Sequence, residues 1–285
     1  MVENKKTVNA ISPGPSQSNN THVSKDIETN RRSFKDISDS APPCPASLQP
    51  QSAWDDPDIA SNYTAEAQEF DQSLLVLKQA LAKIQLERGD DILDLGAGTG
   101  LNSVLISERF GVGRSIYGSD ISAAMHNQSV YLNYADFQIT DLAEGVPRQY
   151  REKIDQGKMR VGLINCVGAF HFLSPEGIRT IIRDIAHCLR VDGTAVLTMG
   201  LYNQSNDWTG FCDIETDNDV VGKCTTSKFK MHYYDRQFIK SLLQENNLDI
   251  VEWNEFSLSN RDAISTEEQQ PSVLVVCKKR PQPQL

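Results

Sequence analysis

The chain is predicted to be an α/β protein in which a mostly parallel sheet carries helices on both faces. Two observations predict this class. Short apolar runs typical of buried strands alternate along the sequence with longer segments whose apolar residues recur at helical spacing. A glycine-rich turn, Gly96-Ala97-Gly98-Thr99-Gly100, directly follows the first of these runs. Strands that alternate with helices pair side by side in parallel, and the connecting helices cover the two faces of the sheet.

The predicted elements follow one another in a regular order. From Phe70 to Ile84 apolar residues recur every three or four positions, which predicts a helix with one buried face. Gly89 then ends this helix, and a buried strand is predicted over 91–95. By the same criteria the remaining predicted strands cover 116–120, 161–165, 194–199, 248–256 and 272–277, and the remaining predicted helices cover 176–189 and 238–248.

Residues 1–50 differ in composition from the rest of the chain. They contain half of the 12 prolines and a single aromatic residue, Phe34. Such a segment buries too little apolar surface to offset the entropy that folding would cost. We therefore expect a disordered N-terminal tail at 1–50 and a folded domain at 51–285.

Charge and composition exclude several classes of protein. The 28 Lys and Arg residues and the 38 Asp and Glu residues leave a net charge of −10, which disfavours extended contact with nucleic-acid phosphates. We find neither a secretory signal nor an apolar stretch of the roughly 20 residues that span a membrane. The six cysteines show neither a CxxC pair nor a metal-binding spacing, so no metal site is predicted. We expect a cytoplasmic protein, and the basic pair Arg31-Arg32 leaves a nuclear location open.

The glycine-rich turn indicates a nucleoside-binding site. In an open α/β sheet, ligands bind beside the carboxyl ends of the strands, where Gly96 to Gly100 is predicted to lie. The next predicted strand ends in Asp120, and an acid at this place can accept hydrogen bonds from both ribose hydroxyls. A dinucleotide-binding turn reads GxGxxG, but here Leu101 occupies the last position and Gly100 stands one place earlier. The spacing therefore disfavours NAD.

Asp94 and the three glycines form the pattern DxGxGxG, which resembles the first motif of class I S-adenosylmethionine-dependent methyltransferases. The likeness extends from about Trp54 to Arg280 and leaves out the tail. It implies a Rossmann-like, seven-stranded, mostly parallel sheet with helices on both faces and one antiparallel strand near the C-terminus. It also implies an enzyme whose cofactor is S-adenosylmethionine.

The resemblance assigns cofactor-binding roles to individual residues. Asp94 helps to order the turn and reaches the amino end of the cofactor, and Asp120 holds the ribose. The backbone carbonyl of Asn165 accepts from the ammonium group, and Tyr63 either closes over the cofactor or is a hydrophobic tether. The other implied contacts are Gly96, Ala97, Gly98 and Gly100 beside the methionyl and ribose groups, and Ile121 against the adenine.

In this family an acid followed by an apolar residue comes after the third strand and accepts from the adenine amino group. Asp136-Phe137 and Asp141-Leu142 both fit this pattern. The second pair is preferred, because the Gly-Val-Pro segment behind it resembles the usual loop. An aspartate in such a loop also commonly serves only to form a turn.

His171 is the candidate catalytic residue. It is the only histidine near the end of the predicted strand 161–165, and a group with a pKa near neutrality can accept the proton that a hydroxyl or amine loses on methylation. The alternative is that His171 lines the pocket or caps the next helix.

The segment 201–234 is predicted to cover the substrate. It combines polar turns with aromatic side chains, which exclude water and form apolar walls. The Tyr233-Tyr234 pair is equally able to pack on the sheet. The substrate-binding candidates are Tyr202, Trp208, Phe211 and Tyr233.

Together these observations predict a methyltransferase that acts on a small molecule at oxygen or nitrogen, within natural-product biosynthesis. The acidic charge argues against nucleic acid as substrate, and the aromatic covering segment favours a compact apolar acceptor. One alternative is a regulatory, methyltransferase-like protein that works through its tail and a partner. Another is an NAD-dependent oxidoreductase. The oligomeric state is not predicted.

Overall fold

The computed structural model describes residues 53–70, 72–111, 113–202, 222–225, 230–258 and 270–281. The chain divides into two units, Met1–Leu48 and Gln49–Leu285, and all described residues belong to the second. The predicted tail therefore lies outside the described residues, as do Trp208 and Phe211 of the predicted covering segment.

Seven strands form one sheet. In chain order the strands of the described part are β1 (Asp91–Leu95), β2 (Ile116–Asp120), β3 (Asp136–Ile139), β4 (Val161–Cys166), β5 (Leu189–Gly200), β6 (Gly222–Thr225), β7 (Lys230–Tyr233), β8 (Leu248–Leu258) and β9 (Gln270–Lys279). The order across the large sheet is β3-β2-β1-β4-β5-β9-β8. The first five strands pair in parallel, and β9 lies antiparallel between β5 and β8. The predicted seven-stranded sheet with one antiparallel strand near the C-terminus is confirmed.

Helices cover both faces of this sheet, as predicted. They are α1 (Pro57–Phe70), α2 (Gln72–Lys83), α3 (Leu101–Phe110), α4 (Ala123–Asn127), α5 (Arg148–Asp155), α6 (Pro175–Cys188) and α7 (Arg236–Glu245). One apolar core contains side chains of α6 and α7, and a second contains side chains of α2 and α3. Successive side chains of β1 point to opposite faces of the sheet and therefore pack into both cores: Leu93 and Leu95 belong to the first and Ile92 to the second.

Local sequence explains where α6 begins and which face it buries. Ser174 caps the helix by accepting a hydrogen bond from the amide of Gly177, and Pro175 fits the first turn because its missing N–H would have no partner there. The apolar residues at helical spacing lie on the buried face; they are Ile178, Ile181, Ile182 and Ile185, all fully buried. The helix therefore packs on the sheet as the periodicity predicts.

Several elements of the fold differ from the sequence prediction, two of them near the site. Phe70 ends α1, and the predicted helix from Phe70 to Ile84 is instead α2, which begins at Gln72. The segment between β5 and α7 contains a two-stranded antiparallel sheet, β6 with β7, that was not predicted. Its end attaches to the large sheet, since the amide of Tyr234 donates to the carbonyl of Gly200 at 2.9 Å.

Candidate active site

A cavity of about 510 Å³ lies at the edge of the sheet where the parallel strands end. The segments that follow β1, β2, β3 and β4 each contribute to its wall, together with Trp54, Tyr63, the first turns of α2 and α3, and His232 of β7. This is the edge at which open α/β sheets bind their ligands, and the volume falls in the range of small-molecule sites.

The three glycines after β1 have different structural reasons for lacking a side chain. Gly96, Gly98 and Gly100 all have positive φ angles, of 68°, 53° and 79°. A Cβ on Gly96 would lie 2.5 Å from the Cβ of Ala169, and one on Gly100 would lie 2.6 Å from a serine hydroxyl, so packing within the protein excludes both. A Cβ on Gly98 would meet only the terminal methyl of Met125, at 3.6 Å. Gly98 is therefore the glycine that leaves room for a ligand.

Asp120 connects the glycine loop to the segment after β2. Its Oδ2 accepts a hydrogen bond from the amide of Gly98 at 2.8 Å, and its Oδ1 accepts one from the amide of Ser122 at 2.9 Å. Burial raises the pKa of the Asp120 carboxyl, and the backbone amides of Ser122 and Gly98 oppose this rise. The carboxylate lines the cavity and has acceptor lone pairs left for a ligand.

Asp94 lies below the glycine loop and is fully buried. Its carboxylate accepts hydrogen bonds from Ser103 Oγ and from Asn165 Nδ2, the latter at 2.8 Å. Burial is the main cause that raises the pKa of Asp94, to about 6, and these two hydrogen bonds oppose it. Neither Asp94 nor Asn165 is a cavity-lining residue, so their predicted contacts with a cofactor stay predictions.

Replacing Asp94 with asparagine is expected to stabilise the unliganded protein at neutral pH. The folded protein holds the Asp94 proton up to a pH of about 6, whereas the ordinary pKa is 3.8, so the wild type loses stability as the pH rises from 3.8 to 6. The amide of D94N does not titrate, and Asn165 Oδ1, which has no partner among the described residues, can accept from it after a side-chain flip. The advantage of D94N should reach on the order of 3 kcal/mol above pH 6.

Denaturant unfolding of wild type and D94N between pH 4 and pH 8 measures this difference. The gap in unfolding free energy should be small near pH 4 and should widen as the pH rises through 6. A gap that does not change with pH would mean that the Asp94 carboxyl is not perturbed by burial.

The structure separates the two acid candidates after β2. Asp141 and Leu142 line the cavity, and Asp141 also caps a short turn by accepting from the amide of Ala143 at 2.8 Å. Asp136 begins β3 and pairs with Lys153 at 2.9 Å. Of the two, only Asp141 is placed where the adenine contact was predicted; the contact itself stays a prediction.

Three aromatic rings form a wall of the cavity. The ring of Trp54 meets Tyr63 and Phe172 edge to face, with centroid distances of 5.7 and 5.3 Å. The carbonyl of Trp54 accepts a hydrogen bond from Ser122 Oγ at 2.8 Å, two residues beyond Asp120. Trp54 therefore contacts both the segment after β2, through Ser122, and the segment after β4, through Phe172. The sequence indicated Trp54 only as the start of the family likeness, and it gave Phe172 no role.

The histidines are arranged differently from the sequence expectation. His171 lies in a short turn, Phe170–Phe172, and packs on the ring of Phe172; burial lowers its pKa to about 4. It is not among the cavity-lining residues. His232, which is more than 60 residues away in the sequence, does line the cavity and is 6% exposed. His171 is therefore not the only histidine near this site, and its predicted role as base stays untested.

The other predicted contacts fall into two groups. Ala97 and Ile121 line the cavity, as does Tyr63. Tyr202 is half-buried and Tyr233 is buried, and neither lines the cavity. A Cβ on Gly200 would lie 2.9 Å from the ring of Tyr233, so this ring packs against the end of β5. That position matches the alternative in which the tyrosine packs on the sheet.

The described residues also show what the site does not contain. Within them, no group of His, Cys, Asp and Glu side chains is arranged to hold a metal ion. No helix in the described ranges has the length and apolar character needed to cross a membrane.

Comparison with known proteins agrees with this geometry. Residues 67–253 match the family model of the methyltransferase domain. A methyltransferase solved in complex with the Haloferax volcanii Trm112 activator is 17% identical with a TM-score of 0.58, and the match covers 82% of this chain and 100% of that one. An S-adenosylmethionine-dependent methyltransferase from Listeria monocytogenes is 13% identical with a TM-score of 0.54, and the match covers 73% of this chain and 100% of that one. The 1,6-didemethyltoxoflavin-N1-methyltransferase of Burkholderia thailandensis is 13% identical with a TM-score of 0.50, and the match covers 85% of this chain and 95% of that one. No curated protein matches the chain.

The sheet order and the cavity at its carboxyl edge define a Rossmann-like methyltransferase fold. The family match covers well over half of the chain, and the chain therefore belongs to the family of methyltransferase domains. It is an enzyme of this family, whose cofactor is S-adenosylmethionine.

The residues of the cavity fit this cofactor. A buried carboxylate, Asp120, faces the cavity with free lone pairs for ribose hydroxyls, and the backbone at Gly98 leaves the space that a Cβ would fill. Ile121 and Leu142 add apolar surface to the wall of the same cavity. These four residues would hold the nucleoside.

Proposed function

We propose that this methyltransferase acts on a small, apolar acceptor molecule at oxygen or nitrogen, in natural-product biosynthesis. The observation that supports the proposal best is the aromatic wall formed by Trp54, Tyr63 and Phe172 beside the loop that carries Gly98. Such a wall excludes water and offers flat apolar surface to a compact ligand.

For methyl transfer in such a site, the protein needs to do little besides orient the two reactants and exclude water. When bound, S-adenosylmethionine supplies a reactive methyl group on a sulfonium sulfur. The chain's own residues hold the two reactants in line, and orientation of this kind contributes roughly 7–11 kcal/mol to lowering the barrier. Burial by Trp54 and Phe172 removes the water that would otherwise solvate the attacking atom.

Charge and size support a small acceptor over a macromolecule. The chain carries a net charge of −10, which opposes binding to nucleic-acid phosphates. The cavity of about 510 Å³ is comparable with those that hold drug-sized ligands. The Burkholderia enzyme was solved with bound 1,6-didemethyltoxoflavin and S-adenosylhomocysteine, which is a precedent within this fold.

The domain organisation and location complete the proposal. A tail at 1–50 precedes the methyltransferase domain at 51–285, and the segment 201–234 covers the acceptor through Trp208 and Phe211, because Tyr202 and Tyr233 do not line the cavity. The enzyme works in the cytoplasm, and the basic pair Arg31-Arg32 makes the nucleus the alternative.

Calorimetry with S-adenosylmethionine and S-adenosylhomocysteine, followed by mass spectrometry of metabolite extracts, tests this function. We expect both nucleosides to bind the same cavity in competition, and we expect products that carry one added CH2 when the full chain is incubated with extract and donor. Binding without any methylated small molecule would contradict a small-molecule acceptor and would favour a regulatory role.

That regulatory role is the second candidate. One similar structure is of a methyltransferase solved together with an activator protein, so the fold is compatible with a protein partner. In this alternative the tail at 1–50 and a partner carry the biological effect. Deleting the tail would then abolish the effect, while a cofactor-site variant would leave it unchanged.

A further inference from the structure

His232 lies in the cavity wall but has no role in the site described so far. It is on β7, and only 6% of its surface is exposed. Strand β7 contacts the turn Phe170–Phe172, which follows β4, and Phe172 of this turn also lines the cavity. The sequence connects residue 232 with this site only through the predicted covering segment 201–234, and it gave His232 no individual role.

The order of the strands places His232 away from the nucleoside-binding residues. Along the edge of the sheet the cavity wall runs from Asp141 after β3, through Asp120 after β2 and Gly98 after β1, to Ala169 after β4. β7 attaches at the end of β5, the next strand along the sheet. His232 therefore lies at the far end of the cavity from Asp141.

The backbone around His232 is held in place by neighbouring contacts. The amide of Tyr234 donates to the carbonyl of Gly200 at 2.9 Å, and the Tyr234 hydroxyl donates to the carbonyl of Leu173 at 2.6 Å. The Tyr234 ring also stacks on Phe238 with a centroid distance of 5.5 Å. His232, a cavity-lining residue, is thus held on an anchored strand, as an acid–base group requires.

We propose that His232 is a catalytic residue that accepts the proton of an aromatic hydroxyl group on the acceptor. The inference rests on the proposed function and narrows it to oxygen methylation of a phenol. Two features favour this acceptor class: the aromatic wall of Trp54 and Phe172 suits a flat ring, and the same end of the cavity carries an imidazole. A neutral amine can attack with its own lone pair before losing a proton, whereas a phenol is a poor nucleophile until its proton is removed.

The atoms of this step balance without another reactant. The O–H bond of the phenol breaks and its proton moves to the imidazole of His232. The electron pair left on oxygen forms the new O–CH3 bond, and the pair of the C–S bond remains on sulfur, which becomes a neutral thioether. The imidazolium then returns its proton to water.

His171, the alternative base, is less suited to this role. It is not a cavity-lining residue, and its ring packs on Phe172. Burial lowers the pKa of His171 to about 4, from the usual 6.5, which makes it a weaker proton acceptor near neutral pH.

The test compares H232Q with wild-type full-length protein, using S-adenosylmethionine and two phenol probes. 4-Methylphenol has a hydroxyl pKa of about 10, like tyrosine, and 4-nitrophenol is much more acidic and needs less help to ionise. We expect H232Q to slow methylation of 4-methylphenol by about 10²–10⁴-fold and that of 4-nitrophenol by far less. Added imidazole should restore part of the activity of H232A with 4-methylphenol.

Two further variants serve as comparisons. H187Q removes an exposed histidine that pairs with Asp155 on the surface, and it should leave both rates unchanged. H171Q tests the competing base. The affinity for S-adenosylhomocysteine should be the same in wild type and H232Q, because His232 lies far from the nucleoside-binding residues.

A binding measurement provides a readout that does not depend on turnover. With S-adenosylhomocysteine present, wild-type protein should bind 4-nitrophenol in its yellow, ionised form, because His232 takes up the proton. The absorbance of the ionised form should be much weaker with H232Q under the same conditions.

Several outcomes would overturn the proposal. Equal loss of both rates in H232Q, an unchanged rate with 4-methylphenol, or a loss confined to H171Q would each exclude His232 as the proton acceptor. Tight S-adenosylhomocysteine binding without methylation of either phenol would exclude the phenol class and leave the proposed function standing. Failure to bind S-adenosylhomocysteine would instead refute the proposed function itself.

Discussion

Replacing Asp120 with asparagine is expected to weaken S-adenosylhomocysteine binding by about 100- to 10,000-fold. The two carboxylate oxygens accept from the amides of Gly98 and Ser122, and their remaining lone pairs face the cavity. An asparagine side chain has only one acceptor oxygen. Its NH2 group is a donor and would face one of these two amide N–H groups, so that hydrogen bond would be lost. Lost hydrogen bonds to a charged group cost about 1.5–3 kcal/mol each, and two of them account for the expected loss.

Calorimetry on D120N and on the matched variant D136N measures this effect. D136N makes the same chemical change at the start of β3, where Asp136 pairs with Lys153 outside the cavity wall, so its affinity should equal that of the wild type. Burial raises the pKa of Asp120, so the unliganded D120N protein should remain folded, which a thermal melt checks. Affinity of D120N within threefold of wild type would remove Asp120 from the cofactor site.

Replacing Gly96 with alanine is expected to destabilise the protein by about 2–5 kcal/mol. The position has a φ of 68°, and a left-handed residue with a side chain costs roughly 1–2 kcal/mol. In addition, the new Cβ would lie 2.5 Å from the Cβ of Ala169, so the segment after β4 has to move, and such overpacking costs about 1–3 kcal/mol. Because Ala169 lines the cavity, cofactor binding should weaken as well.

G89A separates the two causes. Gly89 also has a positive φ, of 83°, but a Cβ there would meet nothing within 4 Å. G89A should therefore show only the backbone cost, with normal S-adenosylhomocysteine affinity. Denaturant unfolding of both variants gives the two free energies. The steric explanation for Gly96 is wrong if G96A and G89A destabilise the protein equally.

The sequence predicted the central part of the fold almost to the residue. β1 and β2 have the predicted limits, Asp91–Leu95 and Ile116–Asp120, because a glycine-rich turn follows the first and an acid ends the second. α6 begins one residue before its predicted start, since a serine cap and a proline precede regular apolar spacing. These signals depend only on residues that are neighbours in the chain, so a single sequence contains them.

Other parts of the fold carry weaker local signals. β3 has four residues, none of them fully buried, so the sequence contains no apolar run that predicts this strand. The pairing of β6 with β7 joins two short segments whose partnership depends on contacts with the end of β5. Periodicity cannot reveal an element whose stability comes from distant neighbours.

The same division applies to the site. A glycine-rich turn and an acid at the end of the next strand predict a nucleoside-binding site from sequence, because a tight turn needs glycine and a ribose needs a carboxylate within a short stretch of chain. The resemblance of the DxGxGxG pattern to class I methyltransferases added the class of enzyme. The packing of Gly96 on Ala169, the reach of Trp54 to Phe172 and the entry of His232 into the cavity were decided by the tertiary structure alone. In each case residues from distant parts of the chain meet only because the sheet order brings the ends of their strands together, and no spacing along the sequence encodes that distance.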